Sequence, residues 1–145
     1  GREFRLQTRA PTSLNVFVDT SVWSLALRRD EASVPETAAL RRALQTGTVF
    51  ATGLVLQELL QGFPKVQSKA RIIGSFAALP MLVPDREDHI QAADLRDRCR
   101  RRGIQIGTID ALLAQLCVRH ELAMLTTDRD FTRVAEFTTL PVWPQ

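Results

Sequence analysis

The sequence predicts one α/β domain whose mostly parallel sheet is covered by helices on both faces, a three-layer α/β/α sandwich. Three observations carry this. Short apolar runs of strand length recur along the chain, and segments whose apolar residues repeat at helical spacing separate them. Such alternation is how parallel strands joined by crossover helices are written in a sequence. Residues 15–145 also contain no linker, internal repeat or low-complexity tract that would divide them.

Taken in order, Val16-Phe17-Val18 is a first strand that stops abruptly at Asp19, with Thr20 or Ser21 free to cap a short helix over 22–27. Pro35-Glu36-Thr37 opens a second helix with proline and acid in its first turn, and Gly47 closes it. A second strand is expected at 48–51, then a helix carrying Leu54, Val55, Glu58 and Leu59 and ending near Gly62-Phe63-Pro64. The next helix, 67–78, is expected to bury Ala70, Ile73, Phe76 and Ala77. A short strand at 81–83 lies between two prolines. Residues 88–102 form a helix with Ala92, Leu95 and Cys99 on one face, stopped by Gly103. Thr108 caps a helix whose Ile109, Leu112, Leu113, Leu116 and Cys117 fall at i, i+3, i+4, i+7 and i+8. A fourth strand is expected at 123–126, a short helix at 130–136 and a last strand at 140–143.

Bulk properties narrow the function. The chain has 145 residues, 45% hydrophobic and 24% charged, which excludes disordered and collagen-like classes. No apolar run approaches the roughly 18 to 20 residues that span a bilayer. No apolar signal segment opens the chain, so a cytoplasmic protein with no membrane partner is expected. Residues 1–14 lack periodicity and are expected to be a disordered leader or tag remnant. Cys99 and Cys117 make no metal-binding pattern with His89 and His120 and are expected to be buried free thiols. A net charge of +3 is too small to establish a nucleic-acid partner. Only two of the 19 basic residues are lysine, however, and arginine's planar fork suits phosphate.

The acids are more informative. Ligands of open parallel sheets bind beyond the carboxyl ends of the strands. Asp19 ends the first strand there, and Asp128 and Asp130 follow the fourth. Glu58 lies about one turn into a helix, and Asp110 two residues past the Thr108 cap. Each has an ordinary account as a helix-terminus or turn residue. Glu58, flanked by Leu54, Val55, Leu56, Leu59 and Leu60, is expected to be half-buried and in need of a partner or a metal. Together, such carboxylates repel unless a cation separates them, and all-oxygen ligands suit Mg²⁺ or Mn²⁺ rather than Zn²⁺. Ions held this way bind a scissile phosphate and acidify an attacking water.

Four blocks then resemble the PIN-domain ribonucleases, and among them the VapC-type toxins of type II toxin–antitoxin pairs. They are Val16-Phe17-Val18-Asp19-Thr20-Ser21-Val22-Trp23, Leu56-Gln57-Glu58-Leu59-Leu60-Gln61-Gly62, Thr108-Ile109-Asp110-Ala111-Leu112-Leu113-Ala114 and Leu125-Thr126-Thr127-Asp128-Arg129-Asp130-Phe131. Each is weak alone, but the four in order are specific and cover about residues 15–143. The resemblance implies a PIN-like sandwich over 15–145 and an Mg²⁺-dependent endoribonuclease. Asp19, Glu58, Asp110 and Asp128 would be its catalytic, metal-binding acids, and Asp130 an auxiliary ligand through water. A hydroxyl from Thr20, Ser21 or Thr126 would orient the metal's waters or the phosphate, Thr126 and Ser21 foremost. It also implies an RNA substrate, a homodimer, and a small VapB-type antitoxin lying across a groove made by residues 35–45 and 54–78.

The run Arg96, Arg98, Arg100, Arg101, Arg102 reads equally as a guide for RNA backbone toward Asp110 or as a solvated face, since Asp94 and Asp97 are mixed in. Arg98, Arg101 and Arg129 are the candidate backbone contacts. Other Asp-based phosphate enzymes fit poorly. A haloacid dehalogenase-like phosphatase needs a second Asp where Ser21 stands, and a response-regulator receiver needs a lysine after a late strand. A PIN-like domain that binds without cutting would be marked by loss of one of the four acids, and all four are present.

Overall fold

Four parallel strands run through the centre of the molecule, in the order β3-β2-β1-β4. The computed structural model describes residues 14–28 and 33–144; the leader expected at 1–14 lies, Leu14 apart, outside them. Along the chain come β1 (Val16–Val18), α1 (Thr20–Leu27), α2 (Pro35–Thr46), β2 (Val49–Thr52), α3 (Gly53–Gly62) and α4 (Val66–Phe76). Then follow β3 (Met81–Leu82), α5 (Arg86–Arg101), α6 (Thr108–His120), β4 (Ala123–Leu125) and α7 (Arg129–Ala135).

Successive strand residues point to opposite faces, yet every residue of β1 and β4 is buried. Both faces of the sheet are therefore covered, and the fold is the three-layer sandwich the alternation predicts. The connections explain the strand order. Those after β1 and β2 each step one strand in the same direction, whereas α5 and α6 carry the chain from β3 at one edge to β4 at the other. The direction of winding thus reverses between β1 and β4, whose register pairs Val16 with Ala123 and Val18 with Leu125. A crevice opens beyond the carboxyl ends of two strands at such a reversal.

Local chemistry sets the helix ends. Pro35 enters the first turn of α2, and Gly47 ends it at φ 70°, a left-handed conformation that glycine adopts without penalty. Thr52 caps α3 by accepting from the Val55 amide at 3.2 Å. Helix α5 begins earlier than its apolar spacing suggests, because Asp85 and Asp88 form a reciprocal capping box at its start, 2.9 Å in each direction. Asp88 is fully buried and receives both Nε and Nη2 of Arg119 at 2.7 Å. That pair locks the start of α5 to the end of α6. Cys99 and Cys117 are free and buried.

Three expectations are corrected. Thr108 does not cap α6: Gly107 holds the N-cap position, Thr108 is the first helical residue, and no side chain caps the helix. Helix α4 buries Ile72 and Phe76, while Ile73 is 56% exposed and Ala70 and Ala77 also face solvent. The Phe76 ring packs at a tilt against Trp23 of α1, ring centres 4.7 Å apart, on the face that α4 buries. The strand expected at 140–143 shrinks to one parallel bridge between Val142 and Met124. Pro141 and Pro144 lack the amide hydrogens that would extend the ladder.

Candidate active site

The reversal of winding puts Asp19 and Thr126 side by side. The Asp19 amide donates to the Leu125 carbonyl at 2.9 Å, which ties the ends of β1 and β4 together. Asp19 occupies the N-cap of α1, but its carboxylate does not cap that helix. Oδ2 instead accepts from Ser21 Oγ and Thr126 Oγ1, both at 2.9 Å. The two hydroxyls are 3.5 Å apart. Each gives its one hydrogen to Asp19 and accepts from the loop after β4: Thr126 from the Asp128 amide at 3.0 Å, Ser21 from the Thr127 amide at 3.2 Å. Among the described residues, Asp19 Oδ1 accepts no hydrogen bond.

The remaining acids surround this pair. Asp128 caps α7, its Oδ1 accepting from the Asp130 amide at 2.9 Å, and Asp130 makes a long ion pair with Arg133 at 3.7 Å. Glu58 is exposed, contrary to the half-buried position its leucine neighbours suggested. Helix α3 turns Val55 and Leu59 into the core, and Glu58, one residue and about 100° round from Leu59, lands on the rim. There Thr20 Oγ1 donates to its Oε1 at 2.7 Å.

Asp110, in the first turn of α6, registers the whole group. Burial first, and then the charges of Asp19, Asp128, Glu58 and Asp130, push its carboxyl up to about 6. Four acids from three other stretches of chain act on one carboxyl. Among the described residues, no three His, Cys, Asp or Glu side chains stand close enough to clasp a metal ion as they are posed. The acids meet through charge across a shared edge, with Thr20 holding one and two hydroxyls another. Carboxylate and hydroxyl oxygens are the donor set that fits a hard dication, and the repulsion at Asp110 is what such an ion would relieve.

The arginines divide. Arg98 Nη2 donates to the Phe137 carbonyl at 3.2 Å and its guanidinium lies over that ring, as does Arg102 at 4.2 Å from the ring centre. Arg101 and Arg129 are exposed. Sequence reasoning did not single out Arg96, whose Nε donates to the Ile106 carbonyl at 2.9 Å and so fixes the loop that leads into α6. Nor did it find Arg119 and Asp88; the Asp85-x-x-Asp88 spacing at a helix start was the available signal.

No curated protein matches the sequence. Solved structures do resemble it. VapBC2 from Rickettsia felis, bound to a DNA fragment from its promoter, superposes with a TM-score of 0.68 at 18% identity, covering 89% of this chain and 97% of that one. DNA-bound VapBC from Salmonella typhimurium gives 0.68 at 22%, covering 89% and 96%. VapC20 from Mycobacterium tuberculosis, a toxin that cleaves the sarcin–ricin loop, gives 0.62 at 16%, covering 87% and 98%. At these identities the likeness is one of fold. The PIN domain family model matches residues 16–137, nearly the whole described chain, and the chain belongs to the PIN-domain family.

Proposed function

We propose that this chain is a metal-dependent endoribonuclease, the toxin of a type II toxin–antitoxin pair, that hydrolyses RNA phosphodiesters. The observation that carries the reading is the raised carboxyl of Asp110, pushed up by burial and by Asp19, Asp128, Glu58 and Asp130. A fold gains no stability from such crowding, and perturbed acids at a sheet's ligand-binding edge are the usual sign of a working site. Asp19, Glu58, Asp110 and Asp128 would hold Mg²⁺ or Mn²⁺, with Asp130 assisting through water. A bound ion there would neutralise the phosphodiester and acidify the attacking water.

The chain's own groups prepare that site. Thr126 and Ser21 fix Asp19 through Oδ2, which leaves Oδ1 without a hydrogen bond among the described residues. Thr20 steadies Glu58 on the rim. Asp110, with a carboxyl near 6, gives up its proton readily once positive charge arrives. Among the described residues no helix is long and apolar enough to cross a membrane, which accords with a cytoplasmic enzyme. Solved structures of the same fold are VapBC complexes, which supports a VapB-type antitoxin as partner; a homodimeric toxin completes the proposed assembly.

The deciding experiment incubates RNA with the protein, with and without Mg²⁺, beside Asp19→Asn. Cleavage that requires the metal and disappears in the variant is the expected result. Equal cutting by both proteins, or cutting in a chelator, would remove the reading.

A further inference from the structure

Five arginines follow one another closely in α5 and the residue after it, and the fold gives them different work. Arg98 and Arg102 are spent on Phe137. Arg96 and Arg100, one helical turn apart and so on one face, line a cavity of about 330 Å³ where α5 runs into α6. Ile104 and Ile106, 4% and 6% exposed, belong to the core and only close the cavity floor; Gln105 and Gly107 complete the lining. Its size falls in the range of about 300–1,000 Å³ typical of ligand sites.

We propose that this cavity binds the phosphate of one nucleotide of the RNA strand next to the cleavage point, held by the two arginines. The proposal rests on the nuclease reading above and adds a substrate subsite to it. Two observations make the arginines available. Arg96 is held by Nε to the Ile106 carbonyl at 2.9 Å, and among the described residues its terminal nitrogens have no hydrogen-bond or ion-pair partner. The edge of the fork that meets phosphate is therefore pre-set and free. Among the described residues Arg100 pairs only with Asp97, at 3.0 Å, and both side chains are more than half exposed. Exposed pairs of this kind are weak, so a phosphate displaces Asp97 easily.

Position links the cavity to the acids. Gly107 is the N-cap of α6 and Asp110 lies three residues on, about 4.5 Å of helix rise. A strand whose phosphate sits at Asp110 passes Gly107 within a nucleotide or so. With both arginines on phosphate, the subsite tolerates sequence and adds affinity through the backbone.

The test is binding of a short fluorescent single-stranded RNA to the full chain in EDTA, as a function of salt, for the native protein, Arg100→Ala and Arg96→Lys. The Arg100 side chain is 69% exposed, and lysine at 96 keeps the charge, so both variants should fold. Arg100→Ala should lower the slope of log affinity against log salt by about 0.7, the value for one phosphate contact on a single strand, whereas Arg96→Lys, which keeps the charge but loses the fork, should weaken affinity at an unchanged slope. With Mg²⁺, Arg100→Ala should raise the RNA concentration for half-maximal rate and leave the saturated single-turnover rate unchanged. Adenosine 5′-monophosphate should compete only weakly, because the strand supplies the neighbouring contacts; competition equal to RNA would assign the site to free nucleotides and overturn the proposal. Unchanged slopes and affinity in both variants would overturn it too, even in a protein that cuts RNA. A protein that binds RNA with the expected changes in slope and affinity but never cuts would keep the subsite and lose the nuclease.

Discussion

Asp88 and Asp110 sit on neighbouring helices, both drawn out of water, and the protein treats them in opposite ways. Burial alone pushes Asp88 up, but hydrogen bonds from Arg119, the Asp85 amide and Gln115 outweigh it and leave the carboxyl below its ordinary value. Asp110 gets no such relief. Burial and four other acids act in the same direction, and its carboxyl rises to about 6. One helix pair thus contains a carboxylate that steadies the fold and one that the fold strains against. A buried acid that is fully partnered is structural; one that is crowded by its own kind at a strand edge is kept for a ligand.

Removing each acid sharpens the contrast most. Asp110→Asn is expected to reduce Mg²⁺-dependent RNA cleavage by more than about 100-fold, since even groups one step removed from a metal cost 10–100-fold. The same substitution removes a repelling charge, so its melting temperature should rise. Asp88→Asn is expected to do the reverse: lose about 3 kcal/mol in urea unfolding, the low end for a broken buried pair because Arg119 is 39% exposed, and cut RNA normally when folded. Lower stability in Asp110→Asn would break the comparison. A smaller effect should follow Thr126→Val, which removes a hydrogen bond to Asp19 and the acceptor for the Asp128 amide. The Mg²⁺ concentration for half-maximal cleavage should rise by about 10–100-fold, with a fall in melting temperature smaller than that of Asp88→Asn from the two lost hydrogen bonds.

These two acids also mark how far the sequence can be read. Asp19, Asp110 and Asp128 were legible because strand ends and helix starts are local features, and a parallel sheet gathers such ends at one edge. The hydroxyls of Ser21 and Thr126 were less so. Their task is to clamp Asp19 across |i−j| of 2 and 107, and only the family resemblance singled them out from other strand-end hydroxyls. Asp88 gave no hint of its burial, because its partner is 31 residues away and meets it only when α5 and α6 pack. Glu58 and Ile73 were placed on the wrong side for one shared reason. In an apolar run of a helix, a residue next to a buried one is turned about 100° away from it, and composition does not say which of the neighbours faces in.

The smallest effect, and the one that ties both acids to one measurement, is the dependence of stability on pH. For Asp110 the folded value of about 6 lies above the ordinary 3.8. Between those values the folded protein holds a proton that the unfolded chain has released, so stability falls as pH rises through that window and is level above it. For Asp88 the folded value lies below 3.8. Its contribution is complete above 3.8 and is lost as pH falls through the lower folded value. Urea midpoints measured across this range should therefore slope downward from about pH 4 to 6 in the native protein, flatten there in Asp110→Asn, and fall less steeply in acid in Asp88→Asn. Mg²⁺ added at saturating concentration should remove most of the downward slope, because an ion that favours the ionised carboxylate lowers the folded value toward the unfolded one. A slope that survives both Asp110→Asn and Mg²⁺ would mean that some other group strains the fold, and the division between the two acids would have to be drawn elsewhere.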